Sequence, residues 1–305
     1  HNSDKSFLFA SEIKALLASG IRKEPDLSVL SDYLKYGHYD HTVKSFFEGI
    51  HQVQQGTITR VSQAGVTHER YWDPDSFLAQ DRSNPANGMQ AYMETLEDAV
   101  RLRMRADVPY CVILSGGLDS SAIAVLADEH IVDHTLNVMT VRYDNPLYNE
   151  GPWADLVCKG RHWTEHNTVI DSNHVPDMFE QALWHQDEPF GGVAVFGDMV
   201  LAKHAREKGI LVLLEGQGAD EELGGYEYYN MYHLADLYQK DRTAALDAYK
   251  HFSEKRGIPL TQPEEQLHAY VDRVISPKKA LAQDGTCPVR PEVLSPDFAA
   301  QKGTS

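Results

Sequence analysis

The sequence predicts an α/β fold in which a parallel sheet is covered by helices on both faces. Residues 110–114 and 210–214 are apolar throughout, which is typical of strands buried on both faces of a sheet. Further strands are predicted at 136–143 and 168–170, and helical patterns separate the strands, which favours a parallel arrangement. The helices are predicted at 89–105, 120–130, 149–159, 175–184 and 199–208, and the chain beyond 226 is also helical in pattern.

The start of the chain carries a different pattern of short elements. A strand is predicted at Phe7-Leu8-Phe9, followed by a helix at 12–18 that Ser11 would cap and Gly20 would end. Local patterns also predict a helix at 27–36 and strands at 57–61 and 66–71, with a turn at 63–65.

A change in composition separates these two patterns. Residues 73–90 are rich in Asp, Pro, Ser, Asn and Gly, which is the composition of a linker or a long loop. We therefore expect a first domain over 1–74, a linker over 75–88 and a second domain over 89–305.

The overall composition narrows the classes of partner. The net charge of −17 would repel a polyanion, so a nucleic-acid partner is not expected. No apolar run approaches about 18 residues, the length that suggests a membrane span. The spacing of Cys111, Cys158 and Cys287 matches no disulfide framework or zinc site, which favours a reduced, cytoplasmic setting. Cys111 lies inside an apolar run and is predicted to be a small buried residue.

The segment Ser115-Gly116-Gly117-Leu118-Asp119-Ser120-Ser121 joins a predicted strand to a predicted helix. Its paired glycines allow a tight turn, and a helix N-terminus offers free N–H groups and a positive dipole end. The serine hydroxyls add donors, so the segment is typical of a phosphate or pyrophosphate site. Asp119 by itself would repel phosphate, and it fits this site as a ligand of Mg²⁺. A plain strand-to-helix turn with a serine cap is the alternative.

A second glycine-rich segment follows the apolar run at 210–214. It reads Glu215-Gly216-Gln217-Gly218-Ala219-Asp220-Glu221-Glu222-Leu223-Gly224-Gly225-Tyr226. Because the carboxyl ends of parallel strands meet at one edge of a sheet, we expect both segments on the same, ligand-binding side. Asp220 would then supply a second carboxylate to the Mg²⁺ of Asp119. A glycine-rich acidic surface loop is the alternative.

The first segment resembles the pyrophosphate loop of the N-type ATP pyrophosphatases. The second resembles the asparagine synthetase loop in which Gly-Glu-Gly-Ser-Asp-Glu precedes Gly-Gly-Tyr. The resemblance implies an adenine nucleotide alpha hydrolase-like synthetase domain that uses ATP and Mg²⁺, with Asp119 and Asp220 at the metal. It implies nucleotide contacts at residues 115–121 and at Leu114, Val141, Glu215 and Gly216.

One position departs from the family's loop. The family's Glu, which is thought to help form the acyl-adenylate and admit ammonia, falls on Gln217. A neutral amide can form hydrogen bonds but cannot take a proton. If that Glu acts as a base, its loss would cost on the order of 10² to 10⁴ in rate. Glu215 or Glu221 would then cover the charge, so Gln217 and Glu221 are the candidate catalytic residues.

The start of the chain resembles the late part of the family's glutaminase domain, an α+β domain with an N-terminal nucleophile. Residues 7–16 and Tyr71-Trp72-Asp73-Pro74 carry this resemblance. The family's nucleophilic cysteine lies upstream of the matching region, and its late Arg-x-Pro-Phe-Leu-Asp run and Lys are not found before Ser305. We therefore expect a fragment of a longer chain, without glutaminase activity of its own and truncated in the synthetase domain.

The implied reaction is ATP-dependent adenylation of a carboxylate, aspartate by family default, followed by amidation with ammonia derived from glutamine. The implied partners are ATP, an amino-acid or other carboxylate substrate, and glutamine or ammonia, and a homodimer is allowed. A ring-forming amide ligase of the same superfamily and a catalytically incomplete nucleotide-binding fragment are the alternatives. The segment Asp187-Glu188-Pro189-Phe190 either lines the substrate pocket or forms a solvated loop.

Overall fold

The computed structural model describes residues 1–3, 6–78, 88–132, 135–192, 194–275 and 294–300. The strands are β1 (Asn2–Ser3), β2 (Ser6–Phe7), β3 (Thr57–Ser62), β4 (Gly65–Arg70), β5 (Tyr110–Ile113), β6 (Asn137–Tyr143), β7 (Thr164–Ile170) and β8 (Val212–Leu214). The helices are α1 (Ile13–Ala18), α2 (Leu27–Tyr36), α3 (Pro74–Leu78), α4 (Gly88–Arg103), α5 (Leu118–Glu129), α6 (Gly151–Cys158), α7 (Val175–Gln186), α8 (Ala194–Glu207), α9 (Ala219–Leu223), α10 (Glu227–Lys240), α11 (Arg242–Lys255), α12 (Pro263–Ile275) and α13 (Pro296–Ala299).

The main sheet contains four strands in the order β7-β6-β5-β8, and every pair is parallel. In the centre of the sheet, Val112 pairs with Val138 on one side and with Leu214 on the other. The parallel sheet predicted from the apolar runs is therefore confirmed. β7 begins at Thr164 rather than at 168, and its first residues are polar because they lie in a strand at one end of the described sheet.

Helices cover both faces of this sheet, as predicted. On one face, Val112 packs in a buried cluster with Ala124 of α5. On the other face, Cys111 and Met139 pack in a second cluster with Leu201 of α8. Successive residues of a strand point to opposite faces, which is why neighbours in β5 belong to different clusters.

The short elements near the start agree with the prediction except at the end of one strand and at the start of one helix. α2 has the predicted bounds, and β3 and β4 form the predicted antiparallel hairpin. β2 ends at Phe7 rather than at Phe9. The predicted cap of the next helix is wrong, because α1 follows Glu12 as its N-cap residue and Ser11 plays no part in the cap. The backbone N–H of Ile13 instead donates to the carboxylate of Asp187.

The chain forms two compact units. The first contains His1–Asp26 and Tyr39–Gly216, and the second contains Leu27–His38 with the described residues from Gln217 onwards. In the second unit, α10, α11 and α12 share an apolar core. Residues 79–87 of the predicted linker lie outside the described residues, so the domain boundary at 75–88 stays a prediction. Among the described helices, none combines the length and the apolar character that crossing a membrane requires.

Candidate nucleotide-binding site

Gly116 fixes the turn between β5 and α5. Its φ of +85° lies in the left-handed region, which glycine adopts without strain. A methyl group at this position would overlap the backbone of Trp153 and Ala154 in α6. The turn is therefore packed directly on the first turn of α6, and both its conformation and its space require glycine.

Hydrogen bonds between serines hold this loop in shape. The hydroxyl oxygen of Ser120 accepts from the backbone nitrogen of Ser115 at 3.3 Å and lies 3.0 Å from the Ser115 hydroxyl. The Ser115 hydroxyl oxygen also accepts from the backbone nitrogen of Gly117 at 3.2 Å. The hydroxyl oxygen of Ser121 is buried. The serines therefore preform the loop, a role that the sequence analysis did not assign to them.

The N-terminus of α5 follows this loop directly. Gly117 is the N-cap residue and makes no side-chain cap hydrogen bond. Asp119 lies in the first helical turn, and Leu118 beside it is 84% exposed. An uncapped helix N-terminus presents N–H groups and the positive end of the helix dipole, which suit an anion. The loop and helix together fit a phosphate group.

Gly216 brings the end of β8 against the start of α5. A methyl group at Gly216 would lie 3.0 Å from Cβ of Asp119 and 3.3 Å from the backbone nitrogen of Ser120. β8 pairs with β5 in parallel, so the segments that follow these two strands leave the sheet at the same edge. Gly216 therefore lies against the first turn of α5, and a larger residue at this position would crowd Asp119 and Ser120.

Leu114 and Val141 take positions inside the sheet. Leu114 is completely buried, its N–H donates to the Met139 carbonyl at 2.8 Å, and its own carbonyl accepts from the Thr140 hydroxyl at 2.7 Å. Val141 is partly buried against the cluster that contains Cys111. Both residues support the loop from the core.

The second glycine-rich segment forms the short helix α9 between two left-handed glycines. Gly218, with a φ of +96°, precedes the helix, and Gly224, with a φ of +68°, ends it. The backbone nitrogen of Gly225 donates to the carbonyl of Asp220 at 2.9 Å. A side chain at Gly225 would overlap the Asp220 carboxylate. Gly225 therefore leaves the space that this carboxylate occupies.

The two predicted catalytic residues, Gln217 and Glu221, are exposed. The hydroxyl of Tyr226 donates to Oε1 of Glu221 at 3.0 Å, and this hydrogen bond raises the pKa of Tyr226. The ring of Tyr226 stacks on that of Tyr228, with 5.4 Å between the ring centres. The phenol thus holds the Glu221 carboxylate in one place on α9.

Asp198, in α8, is an acidic residue that the sequence analysis missed. Desolvation by neighbouring groups raises the pKa of its carboxyl group, although the residue as a whole is exposed. Partial desolvation is the main cause that raises the pKa of Glu215, and the charge of Asp198 is the second. Burial and then the same charge raise the pKa of Tyr143 at the end of β6. The charge of Asp198 therefore affects groups at the carboxyl edge of the sheet. In the sequence, the feature that could have drawn attention to it is an aspartate among apolar residues near the start of a helix.

Carboxylate oxygens at Asp119 and Asp220 match the preference of Mg²⁺, which often takes one or two carboxylates together with substrate phosphates. Within the described ranges, no group of three or more His, Cys, Asp or Glu side chains is placed to hold a metal ion. Asp119 belongs to the first unit and Asp220 to the second, so their shared metal site stays a prediction.

The two described cysteines are buried and free. Burial raises the pKa of Cys111 to about 12, which agrees with its predicted role as a small buried residue. Burial, with a contribution from the nearby Glu165, raises the pKa of Cys158 to about 11. Cys287 lies outside the described residues.

The fold is an α/β domain whose parallel sheet carries a loop rich in glycine and serine at its carboxyl edge. The family model described as asparagine synthase matches residues 91–286, and the one described as glutamine amidotransferase domain matches residues 1–72. The chain belongs to the asparagine synthase family.

Curated relatives match about three quarters of the chain. It is 31% identical over 252 residues to amidase chry2 of Gibberella zeae, covering 75% of this chain and 36% of the relative. It is 31% identical over 247 residues to asparagine synthetase (glutamine-hydrolyzing) 3 of Bacillus subtilis, covering 76% and 39%. It is 28% identical over 231 residues to putative asparagine synthetase (glutamine-hydrolyzing) 2 of Methanocaldococcus jannaschii, covering 72% and 43%. The chain thus spans less than half the length of these relatives.

A solved structure of an NH3-dependent NAD synthetase from Campylobacter jejuni aligns over 60% of this chain and 93% of that chain. The sequence identity is 13% and the TM-score is 0.30, a similarity too low to bear on function.

Proposed function

We propose that the protein forms an amide at the expense of ATP, by adenylating a carboxylate and then amidating it with ammonia drawn from glutamine. The observation that carries the proposal is the preformed loop around Gly116, which opens at an uncapped helix N-terminus inside the segment that matches asparagine synthase. The match of residues 1–72 supports glutamine as the source of ammonia. Aspartate is the proposed acceptor because asparagine synthetases are among the relatives.

In this proposal, residues 115–121 bind the phosphates of ATP, chiefly through the N–H groups at the start of α5. Gly216 and Glu215 would border the nucleotide, with Leu114 and Val141 behind them. Asp119 and Asp220 would hold Mg²⁺, which offsets phosphate charge when it is bound.

The reaction requires two exchanges of bonds. A carboxylate oxygen of the substrate attacks the α-phosphorus of ATP, and the bond to pyrophosphate breaks, which leaves an acyl-adenylate. The nitrogen of ammonia then attacks the acyl carbon, AMP leaves, and one proton is released. N–H groups fixed at the start of α5 stabilise the negative charge that develops on phosphate oxygens.

A proton acceptor is needed in the second step, and Gln217 cannot serve because an amide is not a base at neutral pH. Two carboxylates of the same segment are proposed instead. The raised pKa of Glu215 makes it a stronger acceptor than an ordinary carboxylate. Glu221 is held by the Tyr226 hydroxyl, which fixes its direction. We also propose a cytoplasmic location, where ATP is available and the free thiols stay reduced.

The test is an incubation of the protein with ATP, Mg²⁺, aspartate and an ammonium salt. We expect AMP, pyrophosphate and asparagine in equal amounts. Release of ADP and phosphate would contradict adenylation. Pyrophosphate release that needs an acid with its own amine, and no ammonia, would indicate a ring-forming ligase. ATP binding without pyrophosphate release, with any amino acid, would indicate a catalytically incomplete fragment.

A further inference from the structure

The segment between α7 and α8 has an unusual backbone at its first residue. Asp187 has a φ of 65° and is the one described non-glycine residue with a positive φ. Its backbone nitrogen donates to the Leu183 carbonyl at 3.0 Å, which closes α7. This conformation is strained for a residue with a side chain, so surrounding contacts must hold it.

Those contacts come from the start of the chain. Oδ2 of Asp187 accepts from the backbone nitrogen of Ile13 at 2.8 Å, and Oδ1 lies 3.0 Å from Nζ of Lys14. Burial by itself would lower the pKa of Lys14, but the carboxylates of Asp187 and Glu12 raise it above its usual value. Since Glu12 makes no side-chain cap hydrogen bond, Asp187 caps α1 from a distant part of the chain.

The next residue makes a second connection of the same kind. Oε1 of Glu188 accepts from the backbone nitrogen of Phe46 at 2.6 Å, and Phe46 is buried. Burial raises the pKa of Glu188, although the hydrogen bond from Phe46 opposes this shift. Both carboxylates are therefore held by hydrogen bonds from distant parts of the chain. The interpretation of this segment as a solvated loop is wrong.

Aromatic packing fixes the other end of the segment. The ring of Phe190 lies 5.7 Å from that of Phe179 in α7 and 6.0 Å from that of Phe196 in α8, between ring centres. A methyl group at Gly191 would lie 3.2 Å from the hydroxyl of Tyr39. The segment is thus anchored on two helices of the asparagine synthase match, and it contacts three places in the glutamine amidotransferase match.

The helix that follows leads to the candidate site. A methyl group at Gly197 would lie 2.9 Å from the Tyr143 hydroxyl at the end of β6, and Asp198 raises the pKa of Glu215. α8 therefore connects the segment at Asp187 to the carboxyl edge of the sheet.

We propose that Asp187 and Glu188 are positioning residues that couple the part of the protein that matches a glutamine amidotransferase domain to the part that matches asparagine synthase. They set the relative placement that lets ammonia from glutamine reach the acyl-adenylate. This inference rests on the proposed function. It assigns these two carboxylates no contact with substrate or nucleotide.

The experiment compares glutamine-dependent with ammonia-dependent amide formation in the natural full-length protein. Asp187→Gly removes the carboxylate and keeps the left-handed backbone unstrained, and Glu188→Ala removes the second contact. We expect each to lower the glutamine-dependent rate by roughly 10- to 100-fold, because small misplacements far from the chemistry have effects of that size, while the ammonia-dependent rate stays within about twofold of wild type. Asp187→Asn and Glu188→Gln keep an acceptor oxygen, so they should restore much of the glutamine-dependent rate.

The control is Asp241→Gly, which removes the cap of α11, where Asp241 accepts from Thr243 and Ala244 at 2.9 and 3.0 Å. It should lower stability and leave the ratio of the two rates unchanged. Hydrogen exchange at the amides of Ile13 and Phe46 should speed up in the matching variant only. A parallel fall of both rates, or an unchanged ratio, would overturn the coupling role. Failure of the proposed function would show differently, as a wild-type protein that forms no amide even from ammonia.

Discussion

The two glycine-rich segments use their glycines in different ways. In the first, Gly116 is packed on the backbone of α6 and the surrounding serines are hydrogen-bonded to one another. In the second, a methyl group placed on Gly218 or Gly224 would meet no described atom within 4 Å beyond the glycine and its two adjacent residues, so only the conformation of these positions requires glycine. We infer that packing against α6 fixes the shape of the first segment, whereas backbone conformation alone constrains the second, in which Gln217 departs from the family's Glu.

The largest effect on activity should follow from replacing the aspartate of either segment, because the two carboxylates are proposed to share one metal ion. Asp119→Asn and Asp220→Asn are each expected to lower Mg²⁺-dependent pyrophosphate release by roughly 10²-fold or more, because an amide is a poor ligand for a hard cation. The measurement is the initial rate across a range of Mg²⁺ concentrations. Glu222→Gln, an exposed neighbour in α9, serves as the control and should keep the wild-type rate. A wild-type rate in either aspartate variant would remove that residue from the metal site.

A smaller effect, on stability, should distinguish the glycines of the two segments. Gly218→Ala places a side chain at positive φ in open space and should lower the free energy of unfolding by about 1 kcal/mol. Gly116→Ala adds overlap with Trp153 and Ala154, so it should lower the free energy of unfolding by about 3 kcal/mol. It should also abolish pyrophosphate release. Urea denaturation measures both losses of stability. Equal losses would mean that packing does not distinguish the two loops.

The smallest effect is expected at Gln217. Gln217→Glu should leave amide formation from ammonia equal to wild type or faster, since it restores the side chain that the family resemblance implies. The turnover number at saturating ATP is the quantity to compare. A fall of about 10-fold or more would show that the second segment is arranged around the amide and that Glu215 or Glu221 has taken over the charge.

Local patterns predicted the elements whose shape is decided locally. The bounds of α2 and the pairing of β3 with β4 follow from apolar spacing and a turn, and both agree with the structure. α8 begins at Ala194, five residues before the predicted start at 199, and it therefore includes Gly197, a residue type of low helix propensity. In the structure this glycine makes room for the Tyr143 hydroxyl, a reason that no local pattern contains.

Features that depend on distant contacts could not be predicted. Ser11 has the right residue type and position for a cap, yet the carboxylate that caps α1 is that of Asp187, 174 residues from Ile13. At the candidate site, glycine spacing was enough to find both segments. Asp198 was missed because its effect on Glu215 depends on tertiary proximity alone.

The burial of Cys111 has a practical consequence for labelling experiments. With thiol pKa values of about 12 and about 11, Cys111 and Cys158 hold almost no thiolate at neutral pH and lie under packed side chains. Maleimide dyes would therefore leave both residues untouched in the folded protein. In a variant whose Cys287 is replaced by serine, a cysteine introduced at the exposed Leu118 would carry a fluorophore without background from Cys111 or Cys158, and under the proposed function its signal would report nucleotide binding.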